Sequence, residues 1–176
     1  MNEIIKKNAV SYGIVLGVIS IVITTLIYAL NIELFGSWWL GLVILAINLV
    51  IYCILLSKTK KQLNNDYSFK QAFTTFFIAM LIGASISTLY NLVLFNFVDP
   101  AAKETIQEIS VKSTVSMMER FGAPESEIEK AIEKVRETDN FSIGNLLMGL
   151  GVTLVIGSIF GLILAAIFKS KPAYKE

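Results

Sequence analysis

Four stretches of this chain, 8–32, 34–57, 71–98 and 140–168, contain no Asp, Glu, Lys or Arg. Each exceeds the roughly 18–20 apolar residues with which a helix crosses a hydrocarbon core about 30 Å thick. Four such runs in 176 residues leave too little polar sequence for a soluble core of the usual kind. Soluble domains have about 45–50% apolar and about 25% charged residues. Here the values are 55% and 16%, with a mean hydropathy of +0.67. The expected fold is an all-α integral membrane protein. It has four transmembrane helices, at about 10–30, 38–56, 69–98 and 141–168, and an extracytoplasmic helical hairpin between spans three and four.

The distribution of charge gives an orientation. Lys6, Lys7, Lys58, Lys60, Lys61, Lys70, Lys169, Lys171 and Lys175 face only Glu3, Asp66 and Glu176, leaving +6 on one side of the expected membrane. Glu33 and the 99–139 segment, with six Lys/Arg and ten Asp/Glu, leave −5 on the other. Cytoplasmic loops carry the excess of Lys and Arg. Both termini are therefore expected in the cytoplasm, which requires an even number of spans. The segments 1–98, 99–140 and 141–176 then form three spans, an acidic outer hairpin, and a fourth span with a basic cytoplasmic tail.

Lys6 and Lys7 before an apolar run resemble the start of a secretory signal. The run is longer than the usual 7–15 residues, and Ala29-Leu30-Asn31 is a poor cleavage site, so an uncleaved first span is expected. Cys53 is the sole cysteine and there is no histidine. The first fact excludes an intramolecular disulfide. The second removes the commonest general base and metal ligand.

Local signals place the helix ends. Asn31–Ser37 is a tight turn, and Trp38 and Trp39 open span two where indoles prefer the headgroup layer. Ser68 with Gln71 fits a capping box at the start of span three. Asp99-Pro100 reads as an N-cap with proline at the first helical position. Gly122 with Pro124 reads as a stop, and Ser126 with Glu129 as a second capping box. Ile128, Ala131, Ile132 and Val135 follow helical spacing on one face. In the helix before them, Ala102, Ile106, Ile109 and Met117 oppose Val111, Val115 and Met118. That is the pattern either of burial on two sides, as in a homodimer, or of a marginal helix with scattered apolar residues.

Small residues mark where apolar helices approach closely in lipid. Gly149, Thr153, Gly157, Gly161 and Ala165 recur every fourth residue in span four. Thr75, Ala79, Gly83, Ser87 and Asn91 do so in span three, and Gly13 and Gly17 in span one. These ridges are expected to pack the bundle; the alternative is that one of them, in span four, serves a homodimer.

No ionisable carboxylate or amine lies inside the runs, which argues against proton-coupled transport and voltage sensing. Asn48, Tyr52 and Asn91 form a polar seam, either interhelical glue or the lining of a small cavity. Glu125, Glu127, Glu129, Glu133, Glu137 and Asp139 alternate with Lys130, Lys134 and Arg136, the pattern of a solvated helix face rather than a calcium loop. No catalytic, cofactor-binding or metal-ligating constellation assembles, and nucleic-acid binding has no support. The partners to expect are the lipid bilayer and a second copy or another membrane protein.

A lysine-containing N-terminus, a tight tryptophan-bearing hairpin, and Tyr67-Ser68-Phe69-Lys70-Gln71-Ala72-Phe73 opening span three resemble a bacterial family of four-span membrane proteins, described as a domain of unknown function. The resemblance covers nearly the whole chain. It implies a bacterial inner-membrane location and carries over no catalytic residue. The leading expectation is a non-enzymatic membrane protein whose outer hairpin contacts a partner or itself. The alternative is a small transport or permeability component that uses the polar seam.

Overall fold

The computed structural model describes residues 2–170, and every regular element among them is helical. Six α-helices follow in order: α1 Glu3–Leu30, α2 Trp38–Gln62, α3 Phe69–Val93, α4 Ala102–Arg120, α5 Glu125–Glu137 and α6 Ile143–Phe168. A 3₁₀ turn, Ile32–Gly36, joins α1 to α2, and a π-helical turn, Leu94–Val98, prolongs α3. The end of the expected basic tail, 171–176, lies outside the described residues.

α1, α2, α6 and the Phe69–Val98 stretch are each long and apolar enough to cross a membrane. Between 11% and 22% of the residues in their most apolar windows are buried. That small share decides the solvent. Leu42, Val50, Val152, Val155 and Ile163 are exposed on helices that are apolar all round. Lipid is the medium that matches such a surface.

The helix ends show how sequence becomes boundary. α1 begins at Glu3, ahead of the span expected from about Val10, and its first turns are covered: Ile5 and Ala9 are buried. There the Asn8 amide donates to Thr59 Oγ1 at 3.0 Å and to Gln62 Oε1 at 2.6 Å. Thr59 is an α2 residue, and α2 runs on to Gln62, past the span end expected near Leu56. It ends with Asn64 at φ +52°, its N–H on Lys61 O and that of Asn65 on Lys60 O. This is a Schellman closure with asparagine in the left-handed position.

The capping box at α3 is formed: Ser68 N donates to Gln71 Oε1 at 2.8 Å and Gln71 N to Ser68 Oγ at 3.2 Å. The Asp99 carboxylate accepts from Ala102 N at 3.2 Å where α4 begins. α4 closes on Gly122 at φ +70°, with Ala123 N on Met118 O and Gly122 N on Glu119 O. The second capping box is not formed. α5 begins at Glu125, so Ser126 already lies in its first turn and Pro124 occupies the cap position, without a side-chain bond.

The chain divides into two compact units. The first comprises residues up to Ser20, Leu45–Ser87, and the chain from Gly149. Its core gathers Ile5, Leu56, Tyr67, Ala72, Phe76, Met80, Leu164 and Ala165. The second comprises Ile21–Ile44 and Thr88–Met148. Its core is Leu94, Phe95, Ala102 and Ile106, with Tyr28, Phe35 and Phe141 packed against them.

α4 belongs to the second unit and has partners of its own chain on two sides, α5 and the 3₁₀ turn. Ser113 donates to Gly36 O at 2.9 Å. A Cβ added at Gly36 would meet Ile109 Cγ2 at 2.6 Å, so this contact requires a glycine. Gln107 donates to the carbonyls of Val135 and Arg136 near the end of α5. Part of the apolar surface of α4, Ile106 and Ile109, is thus covered within the second unit, while Met117 stays exposed. On α5, Ile128, Ala131, Ile132 and Val135 are half-buried while the charged positions are exposed.

Candidate functional site

In the first unit the Tyr67–Phe73 motif is a clasp. Tyr67 is fully buried, and its hydroxyl donates to Thr75 Oγ1 at 2.7 Å. Its backbone N donates to Ser170 Oγ at 3.0 Å, and Ser170 N returns a bond to Tyr67 O at 2.8 Å. Ser170 Oγ also contacts Asn65 O. Ala72 is fully buried beneath. Burial pushes the Tyr67 phenol up to about 12, with hydrogen bonding to Thr75 and Thr59 pulling the other way. The clasp holds the start of α3 to the residues just past α6. Its groups are all satisfied, so its chemistry is structural.

Above this clasp in the same unit, α1 and α3 meet through small residues. A Cβ at Gly13 would lie 2.8 Å from Ile82 Cβ, one at Gly17 2.7 Å from Ile86 Cβ, and one at Gly83 2.9 Å from Leu16 Cβ. Ala79 is fully buried there. Ser20 Oγ and Ser87 Oγ share a hydrogen bond of 2.7 Å. On α6, Gly157 admits the Met80 thioether and Gly161 the Phe76 ring, and Ala165 is fully buried. Gly149 has no neighbour within 4 Å of an added Cβ, and Thr153 is exposed. Among the described residues, the C-terminal half of the α6 ridge is therefore the packed part.

Where that packing stops, a cleft of about 360 Å³ opens within the first unit. α1, α2, α3 and α6 all contribute to its wall. Most of the lining is apolar, from Leu16, Leu49, Phe76, Met80, Ile156 and Phe160. The polar groups are Ser20, Asn48, Tyr52, Ser87 and Thr153. Asn48 and Tyr52 stand one turn apart on α2, and Tyr52 leans on Phe76 with ring centroids 4.3 Å apart. The side-chain amide of Asn48 and the hydroxyl of Tyr52 make no hydrogen bond to another described residue. An apolar chamber with a few convergent polar groups is the usual form of a small-molecule site.

Asn91, the third member of the seam expected from sequence, does not line the cleft. It belongs to the second unit and has a partner there or elsewhere in the chain. The lining contributed by Met80, Phe76 and Phe160 carries no polar signature that a sequence pattern would expose. Among the described residues no group of three His, Cys, Asp or Glu side chains converges. The groups the cleft offers a ligand are an amide, hydroxyls and aromatic faces.

The second unit has a polar knot at Asn96, in the π-helical turn. Asn96 Nδ2 donates to Leu92 O at 3.0 Å and to Phe141 O at 2.9 Å. Its Oδ1 accepts from Lys103 at 2.6 Å, and Lys103 also pairs with Asp139 at 3.1 Å. Burial alone would raise the Asp139 carboxyl; bonds from Phe141 N, Lys103 and Ser142 N bring it below the usual range. Every polar group in the knot has a partner, so it serves to hold the two ends of the 99–140 segment.

A family model described as "Protein of unknown function (DUF4199)" matches residues 11–170. No curated protein and no solved structure matches the chain.

Proposed function

The chain belongs to that family of proteins of unknown function, and on this premise we propose that it is a non-enzymatic bacterial inner-membrane protein whose cleft binds a small amphipathic molecule, as a transport or permeability component. The observation that carries the reading is the pairing of Asn48 and Tyr52, two unsatisfied polar side chains, on the wall of an otherwise apolar cleft. Both side chains are half-buried, so their polar atoms remain open to the cleft. A ligand hydroxyl, carbonyl or amine seated there would find hydrogen-bond partners on an otherwise apolar wall.

The proposed orientation has both termini in the cytoplasm and α4 and α5 on the outer side. It is supported by charge: Lys6, Lys7, Lys58, Lys60, Lys61, Lys70 and Lys169 lie before span one, between spans two and three, and after span four, and the acidic 99–139 segment lies between spans three and four. An interaction role for α4 and α5 has less support, because two of the apolar side chains behind it, Ile106 and Ile109, are engaged inside the second unit, although Met117 remains exposed.

The test is photolabelling in native membranes with a diazirine-bearing medium-chain alcohol, mapped by mass spectrometry. Labelling concentrated at Tyr52, Met80 and Thr153, saturable by excess unlabelled alcohol and lost in Asn48→Leu, supports the cleft as a binding site. Labelling spread evenly over lipid-facing positions such as Val43 and Val155, without saturation, overturns it.

A further inference from the structure

A second concavity, of about 760 Å³, lies wholly within the second unit, between the 3₁₀ turn with the start of α2 and one face of α4. Its walls differ in kind from those of the cleft. Trp38 and Trp39 form one side and are 72% and 47% exposed. Lys112, Ser116 and Arg120 line the other. They recur every fourth residue and so share one stripe of α4. Met117 and Phe121, 55% and 86% exposed, extend the apolar part of the surface.

Two features call for explanation. The first is charge. The 99–139 segment is acidic overall, yet both ionisable side chains that α4 brings to this concavity are cations. Neither forms an ion pair among the described residues, where Lys103 with Asp139 is the sole one. The second is position. Trp38 and Trp39 are the first residues of a membrane span. Tryptophan at a span end sits at the level of lipid headgroups. A concavity beside it opens onto the layer where phosphodiesters are abundant and acyl chains begin.

We propose that this groove seats one membrane glycerophospholipid, its phosphodiester held by Lys112 and Arg120 and its upper acyl region lying against Trp38, Met117 and Phe121. Arginine and lysine supply the donors that phosphate oxygens accept, arginine in a planar fork. Ser116, between them, adds a hydroxyl donor. Glu33 at the rim accepts from the hydroxyl or ammonium that the headgroup carries beyond its phosphate. Basic side chains at a bilayer surface attract anionic lipid without such a groove. What the groove adds is a fixed stoichiometry and dependence on two particular cations.

Native mass spectrometry of the full chain in mild detergent, titrated with phosphatidylglycerol, tests this. Dioleoylglycerol with the same acyl chains serves as the phosphate-free probe, and soluble glycerol 3-phosphate as the lipid-free one. The expected result is one retained phosphatidylglycerol, no retained dioleoylglycerol, and retention weakened about tenfold or more in Lys112→Gln/Arg120→Gln. Lys130→Gln/Arg136→Gln, which removes two cations of α5 outside the groove, should retain the lipid like the unaltered chain. Three results would overturn the proposal. One is equal retention in the Lys112/Arg120 variant. Another is equal loss in the α5 control, the mark of diffuse attraction. The third is displacement of the lipid by glycerol 3-phosphate at matching concentration, which would make a free phosphate the ligand.

Discussion

Lys103 donates to the side-chain oxygen of Asn96 at 2.6 Å, joining the first turn of α4 to the π-helical turn that ends α3. The same ammonium reaches Asp139, at the far end of the 99–140 segment. One cation therefore closes a loop of some forty residues on itself. Lys103→Met should loosen the segment at both ends. We expect a loss on the order of 1 kcal/mol, because charged hydrogen bonds count for more than neutral ones while Asp139 remains half exposed. Hydrogen exchange should rise across 96–103 and 139–145 and stay unchanged at α2.

The same knot gives a pH dependence. The Asp139 carboxyl lies below its usual value, so its contribution is present above the unfolded pKa of about 3.9 and is lost as pH falls through the folded value. Thermal unfolding followed between pH 6 and pH 3 should show the unaltered chain losing stability faster than Asp139→Asn. Parallel curves for the two would contradict the account.

At the other end of the pH scale Tyr67 is the sensitive group. Its phenol is held near 12, above the usual value of about 10. The stability linked to the neutral phenol is intact below pH 10 and falls away as pH rises from 10 towards 12. Tyr67→Phe should cost about 1 kcal/mol at neutral pH through the lost bond to Thr75, and should flatten the alkaline decline. Detergent-solubilised protein followed by circular dichroism would report both effects.

Substitutions at glycine should separate packed from open helix faces. Gly17→Val and Gly83→Val drive a side chain into Ile86 and Leu16, and overpacking of this kind typically costs about 1–3 kcal/mol. Gly149→Ala meets nothing within 4 Å and, as glycine inside a helix is the less favourable residue by up to about 1 kcal/mol, should leave the protein as stable or more so. A large loss at Gly149 would instead indicate a partner helix on the uncovered part of α6. The loss would then depend on protein concentration.

Much of the fold can be read from local sequence because its signals are local. The four uncharged runs, Ser68 with Gln71, Gly122, and the α5 stripe at Ile128 and Ile132 each specify geometry within a few residues. Ser126 with Glu129 misleads, since Pro124 three residues before Glu127 already supplies the helix entry. The π-helical turn at Leu94–Val98 carries Asn96, which bonds to Phe141 O forty-five residues away, and nothing nearby announces it. The cleft is harder still. Asn48 and Tyr52 are visible as polar residues in an apolar helix. That they line a space, and that Asn91 does not, depends on where Gly157 and Gly161 stop receiving the side chains of α3.

The cleft beside Asn48 is the claim on which the functional reading rests, and thiol accessibility tests it most directly. With Cys53 replaced by alanine, Asn48→Cys and the lipid-facing Val43→Cys are each treated in native membranes with a small water-soluble thiol reagent. An open, partly polar cleft predicts fast modification at position 48, slowed by a medium-chain alcohol, and negligible modification at position 43. Equal and slow modification at the two positions would mean that the space is closed, and with it the proposed function.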